Sequence, residues 1–111
     1  MNQKNLQRYK KKLLEMRHRS ADEINRMVQV VLDDAKAAGE HDRNVSESVE
    51  KELALEHTEE TIRKTVLDAL QRIDEGTYGD CRQCGAPISK ARLDALPFTS
   101  YCVNCERKLE E

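Results

Sequence analysis

The sequence predicts a mainly α fold: a long antiparallel helical hairpin (coiled coil) over residues 1–75, followed by a small C-terminal lobe organised by four cysteines over residues 76–111. Three observations predict it. Glycine and proline are nearly absent from the first 75 residues, where Gly39 stands alone, while Gly76, Gly79, Gly85, Pro87 and Pro97 crowd the remainder. Apolar residues of the first part recur every three or four positions, the repeat of a helix with one buried face. All four cysteines fall between residues 81 and 105.

In the first arm Leu6, Tyr9, Leu13, Met16, Ser20, Ile24, Met27, Val31 and Ala35 share a face and form a seam. Gly39 suits the left-handed residue that ends a helix, and Asn44 with Glu47 three positions on offers the reciprocal cap of a new one, so the turn is expected over Gly39–Arg43. The second seam consists of Leu55, Ile62, Val66, Ala69, Leu70 and Ile73, with Val45, Val49 and Leu53 nearer the turn. His57 and Glu59 make its middle less apolar. Segments of about 35 and 32 residues at a rise of ~1.5 Å each give matched arms of ~50 Å, as a hairpin requires. The two helices could instead pair with another chain, but the short turn favours folding back, and a monomer is expected.

Charge supports the pairing of the arms. Residues 1–39 carry nine basic and five acidic side chains, residues 40–75 five and 11, and residues 76–111 five of each. A net charge of −2 with a neutral C-terminal lobe argues against general nucleic-acid binding, which draws on a basic excess over a whole face. The run Arg8, Lys10, Lys11, Lys12 beside Tyr9 reads as a solvated helix face. With no Trp, one Phe, 36% charged residues and a mean hydropathy of −0.82, a large core around a buried substrate pocket is not expected. No Ser-His-Asp set, phosphate-cradling glycine loop or His-Glu-x-x-His helix is present, so the chain is not expected to be an enzyme. The charged first 20 residues and the lack of a long apolar run predict a soluble, cytoplasmic protein with no membrane partner.

The cysteines form two pairs, Cys81-Arg82-Gln83-Cys84 and Cys102-Val103-Asn104-Cys105, separated by 17 residues, which is the spacing of a four-cysteine zinc site. A two-residue gap lets both sulfurs of a pair face one ion, and Gly85 gives the backbone freedom to make the turn. Four protein ligands leave no open position, so one structural zinc is expected, not a catalytic one. Iron could occupy the same ligands, and two disulfides or a redox-active pair are the other readings of four such thiols. His18, His41 and His57 lie outside the cluster and read as solvated side chains. Ile88, Leu93, Leu96, Phe98, Tyr101 and Val103 read as packing around the metal, too few to hold 36 residues together unaided. Lys90 and Arg92 read as surface cations.

The stretch Tyr78-Gly79-Asp80-Cys81-Arg82-Gln83-Cys84-Gly85, followed by Ile88, by Arg92-Leu93-Asp94-Ala95-Leu96-Pro97 and by Cys102-Val103-Asn104-Cys105, resembles the zinc finger of the DksA/TraR family of bacterial transcription regulators. The resemblance implies a protein that binds RNA polymerase, not a particular DNA sequence. Its coiled coil would enter the polymerase secondary channel so that the tip nears the active site and transcription initiation changes. The tip of well-known members reads Asp-x-x-Asp-x-Ala, and the corresponding stretch here is Gly39-Glu40-His41-Asp42-Arg43-Asn44. The resemblance therefore marks Glu40, Asp42, Arg43 and Asn44 as the polymerase-binding tip, with only Asp42 matching outright. Six residues follow Cys105, little of the longer C-terminal helix that some members use with the alarmone ppGpp, so ppGpp as a partner is an open question. From the residues alone, a thiol redox or metal-handling protein and a finger that binds nucleic acid directly are the two other classes.

Overall fold

Ser20 determines where the first helix stops. The structure, a computed structural model, describes residues 1–39, 42–55 and 58–109. Its helices are α1 (Gln3–Met16), α2 (Ala21–Ala37), α3 (Arg43–Leu55), α4 (Glu59–Glu75), α5 (Lys90–Ala95) and α6 (Val103–Leu109). Among the described residues there is no strand, only an isolated bridge between Asp80 and Pro87. The mainly α expectation holds, but each expected arm is two helices. The Ser20 hydroxyl accepts from the Glu23 amide at 3.2 Å, while the Glu23 carboxylate reaches back to the Ser20 amide at 3.5 Å. This reciprocal cap supplies partners to amides that a new helix leaves open, and it starts α2 afresh. Thr58 caps α4 from one side only, its hydroxyl accepting from the Thr61 amide at 3.2 Å.

Beyond these breaks the chain folds back. α1 packs on α4 as the base of a hairpin would, but α2 packs on α5, and α3 packs on both α5 and α6. The principal extents are 32 × 30 × 30 Å with a Cα radius of gyration of 13.0 Å, so the elongated shape with ~50 Å arms gives way to a compact one. The C-terminal lobe thus covers the α2 and α3 faces that the two arms were expected to cover for each other.

The seams themselves are buried. Tyr9, Leu13, Met16 and Ile24 of the first, and Val45, Val49, Leu53, Ile62, Val66 and Ala69 of the second, join Ile88, Leu93, Leu96 and Phe98 of the lobe in one core. In α2 the buried positions are Ile24 and Val28, with Met27 and Val31 only half-buried, because the helix restarts at Ser20 and turns its face toward the lobe. Tyr9 ties α1 to α5: its hydroxyl donates to Asp94 at 2.6 Å, and its ring meets that of Tyr78 at 5.8 Å. Burial, and then the Asp94 carboxylate, raise the Tyr9 pKa above its ordinary value, keeping the phenol a donor.

The turn begins as expected, with Gly39 left-handed at φ +76°. The cap of α3, however, is Asp42 and not Asn44: the Asp42 carboxylate accepts from the amides of Asn44 at 2.9 Å and Val45 at 3.2 Å. Glu40, His41, His57 and the Leu55 side chain lie outside the described residues. Among the described residues, no helix is long and apolar enough to cross a membrane.

Leu13 is fully buried between helices, so Leu13→Ala should cost about 2–5 kcal/mol in urea unfolding followed by circular dichroism. Leu67 is 47% exposed, and Leu67→Ala should change stability by less than about 0.5 kcal/mol in the same measurement.

Candidate metal centre and its docking onto the helices

The Cys81–Cys84 pair sits on a tight turn built by backbone bonds. The Gly85 amide donates to the Cys81 carbonyl at 2.9 Å, and the Cys81 amide donates to the Ala86 carbonyl at 2.8 Å. Gly85 has φ +75°, a conformation that other residues adopt only with strain, and this lets the chain reverse directly behind the second sulfur. The Arg82 amide donates to the Ser100 carbonyl at 2.9 Å, bringing this turn against the segment that leads to the second pair. Cys102 and Cys105 sit at the start of α6, where the Glu106 amide donates to the Cys102 carbonyl at 3.0 Å.

These two elements bring the four sulfurs within 4.8 Å of one another, and Cys84 and Cys102 approach to 3.8 Å. All four cysteines are free thiols and none is in a disulfide. Burial raises the Cys81 pKa, but the amides of Cys102, Cys84 and Gln83 outweigh it and bring the thiol down to about 6. Cys105 is pushed up to about 12, first by burial and then by the sulfurs of Cys102, Cys81 and Cys84. Sulfurs this close cannot all ionise unless a cation offsets their repulsion. The cluster is therefore sized and charged for one metal ion, and an all-sulfur tetrahedral donor set suits zinc.

The largest departure from the sequence reading lies beside the cluster. Arg92, expected at the surface, is completely buried. Its guanidinium pairs with Glu52 of α3, donates to the Ser48 hydroxyl at 2.9 Å and to the Thr99 hydroxyl at 3.0 Å, and its Nε donates to the Tyr101 carbonyl at 2.8 Å. Thr99 in turn donates to Glu52 at 3.2 Å. A second arginine, Arg72 of α4, is also buried and donates to the Thr99 carbonyl at 3.3 Å. Lys90 stays exposed and pairs with Asp94 at 2.9 Å. The signal for the missed pair is Glu52 itself, which follows Val45 and Val49 on the buried face of α3, where a carboxylate requires a cation.

The candidate tip lies against the lobe. Asp42 borders a groove of about 480 Å³ that also includes Val31, Ala35, Val45, Lys90 and Asp94. The Asn44 side-chain carbonyl accepts from Arg107 of α6 at 3.0 Å, and Arg43 pairs with Glu47 at 3.1 Å. The described tip residues are thus near one another, but close to the metal lobe and not at a remote end.

Residues 76–111 match the prokaryotic dksA/traR C4-type zinc finger family, so the lobe is a four-cysteine zinc finger and its cofactor is zinc. Over nearly the whole chain there are more distant relatives. The RNA polymerase-binding transcription factor DksA of Salmonella typhimurium is 27% identical over 112 residues, covering 99% of this chain and 74% of that protein. Its counterpart from Caulobacter vibrioides is 28% identical over 113 residues, covering 99% of this chain and 79% of that protein. An uncharacterised Aquifex aeolicus protein is 48% identical over 42 residues, 38% of this chain and 29% of its own length. The resemblance to the DksA/TraR family is shown, by the finger in its own right and by these relatives across the chain.

Cys84 is exposed, so Cys84→Ser removes a sulfur without opening a cavity. Metal analysis should find about one zinc per chain in the parent and a large loss in the variant, with much of the helical circular dichroism retained. One zinc bound as tightly by the variant would exclude the four-sulfur site.

Proposed function

We propose that this chain is a DksA-like regulator that binds RNA polymerase directly and modulates transcription initiation, with Cys81, Cys84, Cys102 and Cys105 holding one structural zinc. The observation that carries this reading is the four-cysteine finger of the dksA/traR type joined to helices that align, end to end, with polymerase-binding factors. In this reading residues 1–75 work as a coiled-coil hairpin entering the secondary channel, and residues 76–111 work as the finger at its base. The protein is a cytoplasmic monomer, acts by contact and not as an enzyme, and does not read a DNA sequence.

The working tip group is Asp42. A carboxylate near the polymerase active site would act through its charge on metal, basic side chains or the path of nucleic acid. Capping α3 is its other task, and the two can be separated, since Asn caps a helix about as well as Asp without the charge. Asp42→Asn should melt within a few degrees of the parent and bind purified core polymerase normally, while losing most of its effect on initiation at a responsive promoter. Unchanged regulation by the variant would remove Asp42 from the mechanism. Failure of the parent to co-purify with core polymerase would overturn the proposal as a whole.

A further inference from the structure

We propose, on the reading that Cys81, Cys84, Cys102 and Cys105 hold one zinc, that Asp68 of α4 is a positioning residue for that centre. Shared between Arg82 and Arg72, its carboxylate holds the first cysteine turn against the segment that leads to the second pair, and this slows release of the metal.

Arg72 carries a charge that its surroundings only half answer. Its side chain is 7% exposed and its Nη2 donates to the Thr99 carbonyl at 3.3 Å, but Nε and Nη1 have no hydrogen-bond partner among the described residues. A buried guanidinium short of acceptors is costly, so whatever carboxylate faces it is strongly held. Among the described residues one carboxylate lies within ion-pair distance, that of Asp68 one helical turn earlier, whose Oδ2 is 3.9 Å from Nε. Asp68 is therefore the counter-ion of a buried charge, although its own side chain is 33% exposed. The same oxygen also accepts from Arg82 Nη1 at 3.3 Å. With a side chain 55% exposed, Arg82 would gain little from an ordinary surface pair. Asp68, however, is attracted inward by Arg72 and stands on a helix fixed by buried Ile62, Val66 and Ala69, so it has less freedom to lose on meeting Arg82.

The two arginines reach the cysteine cluster by different routes. Arg82 lies inside the Cys81–Cys84 turn, and its amide donates to the Ser100 carbonyl at 2.9 Å. Arg72 grips the carbonyl of the neighbouring residue, Thr99, which precedes Cys102 by three positions. The Thr99 hydroxyl in turn meets Arg92 and Glu52, so α3 fixes the same segment from its other side. Thr99 and Ser100 are thus where the two cysteine pairs are joined, and Asp68 is tied to both halves of that junction. Groups that orient metal ligands from outside the coordination sphere typically change metal affinity about 10–100-fold when lost. Asp68 works at one further remove, through the arginines, so the low end of that range applies. The sign of the effect separates positioning from charge: removing a carboxylate near four thiolates would by charge alone favour the ionised sulfurs and slow release, whereas lost positioning speeds it.

The test is the rate at which zinc passes from the loaded full-length protein to an excess of a chromophoric chelator, in the parent, Asp68→Asn, Asp68→Glu, Arg82→Gln and Glu60→Gln. Asp68→Asn should release zinc about tenfold faster than the parent, with its helical circular dichroism intact before mixing. Asp68→Glu, which keeps the charge on the same helix face, should recover most of the parent rate. Arg82→Gln should speed release several-fold. Glu60→Gln removes a carboxylate from the exposed Glu60–Lys64 pair of the same helix and should leave the rate unchanged. If Asp68→Asn does not fold, Arg82→Gln, altered at an exposed side chain, decides alone. Release from folded Asp68→Asn and Arg82→Gln at the parent rate or slower would overturn the proposal, as would an equal acceleration in Glu60→Gln. A parent that holds no zinc would overturn the metal reading and this inference together, an outcome distinct from a loaded parent whose variants release alike.

Discussion

The Arg92 guanidinium is held by Glu52 and Ser48 of α3 and by Thr99 and Tyr101 of the finger, and the arrangement of the other elements depends on where it sits. It is completely buried, it belongs to a six-residue helix in the finger, and its charge is met by Glu52 on a different helix. Removing one partner from such a pair costs several kcal/mol, because the other charge is left buried and unpaired. That penalty fixes the position of the finger against α3 more sharply than apolar contact could. With α5 and α3 so fixed, α2 must lie across α5, and the turn that joins α2 to α3 must come down beside the finger. The docking of Asp42 and Asn44 against the lobe follows from the same constraint.

The metal makes this arrangement possible. The finger has two short helices and a single isolated bridge, and its apolar residues pack into the core of the helices instead of forming one of their own. A lobe of this size usually needs a metal to hold its chain in one path. Here the path matters well beyond the sulfurs. The Arg82 amide bond to Ser100 and the Tyr101 carbonyl bond to Arg92 lie on the segment between the two cysteine pairs. Zinc on the four sulfurs would hold the backbone that positions the buried arginine, and the arginine in turn ties that backbone to α3.

Much of this was legible in the sequence. The cysteine spacing located the cysteine cluster, the 3–4 periodicity identified the buried faces of α1, α3 and α4 but only Ile24 of that of α2, where Val28 is buried in place of Met27 and Val31, and Gly39 ended the first arm as expected. What periodicity does not reveal is direction. Ser20 falls on the seam in phase with Met16 and Ile24, so the pattern is equally good for a straight helix and for one that stops, caps and restarts. Thr58 hides the fresh start of α4 in the same way. Arg92 was misread because an arginine in a short charged stretch is ordinarily solvated, and its partner lies 40 residues earlier, where no local rule connects them. Asn44 was expected as the cap and Asp42 is the cap found; their side chains cap about equally well, and only the backbone decides between them.

The compact arrangement places Arg92 and Glu52 in contact, whereas an extended hairpin would carry Glu52 along the second arm away from the finger. A double-mutant cycle with Arg92→Met, Glu52→Leu and the pair together, followed by urea unfolding of the zinc-loaded protein, therefore tests the account most directly. A coupling of about 1 kcal/mol or more, with the double variant closer to the parent than the sum of the singles, is the result the account requires. Additive effects, with no coupling beyond error, would contradict it.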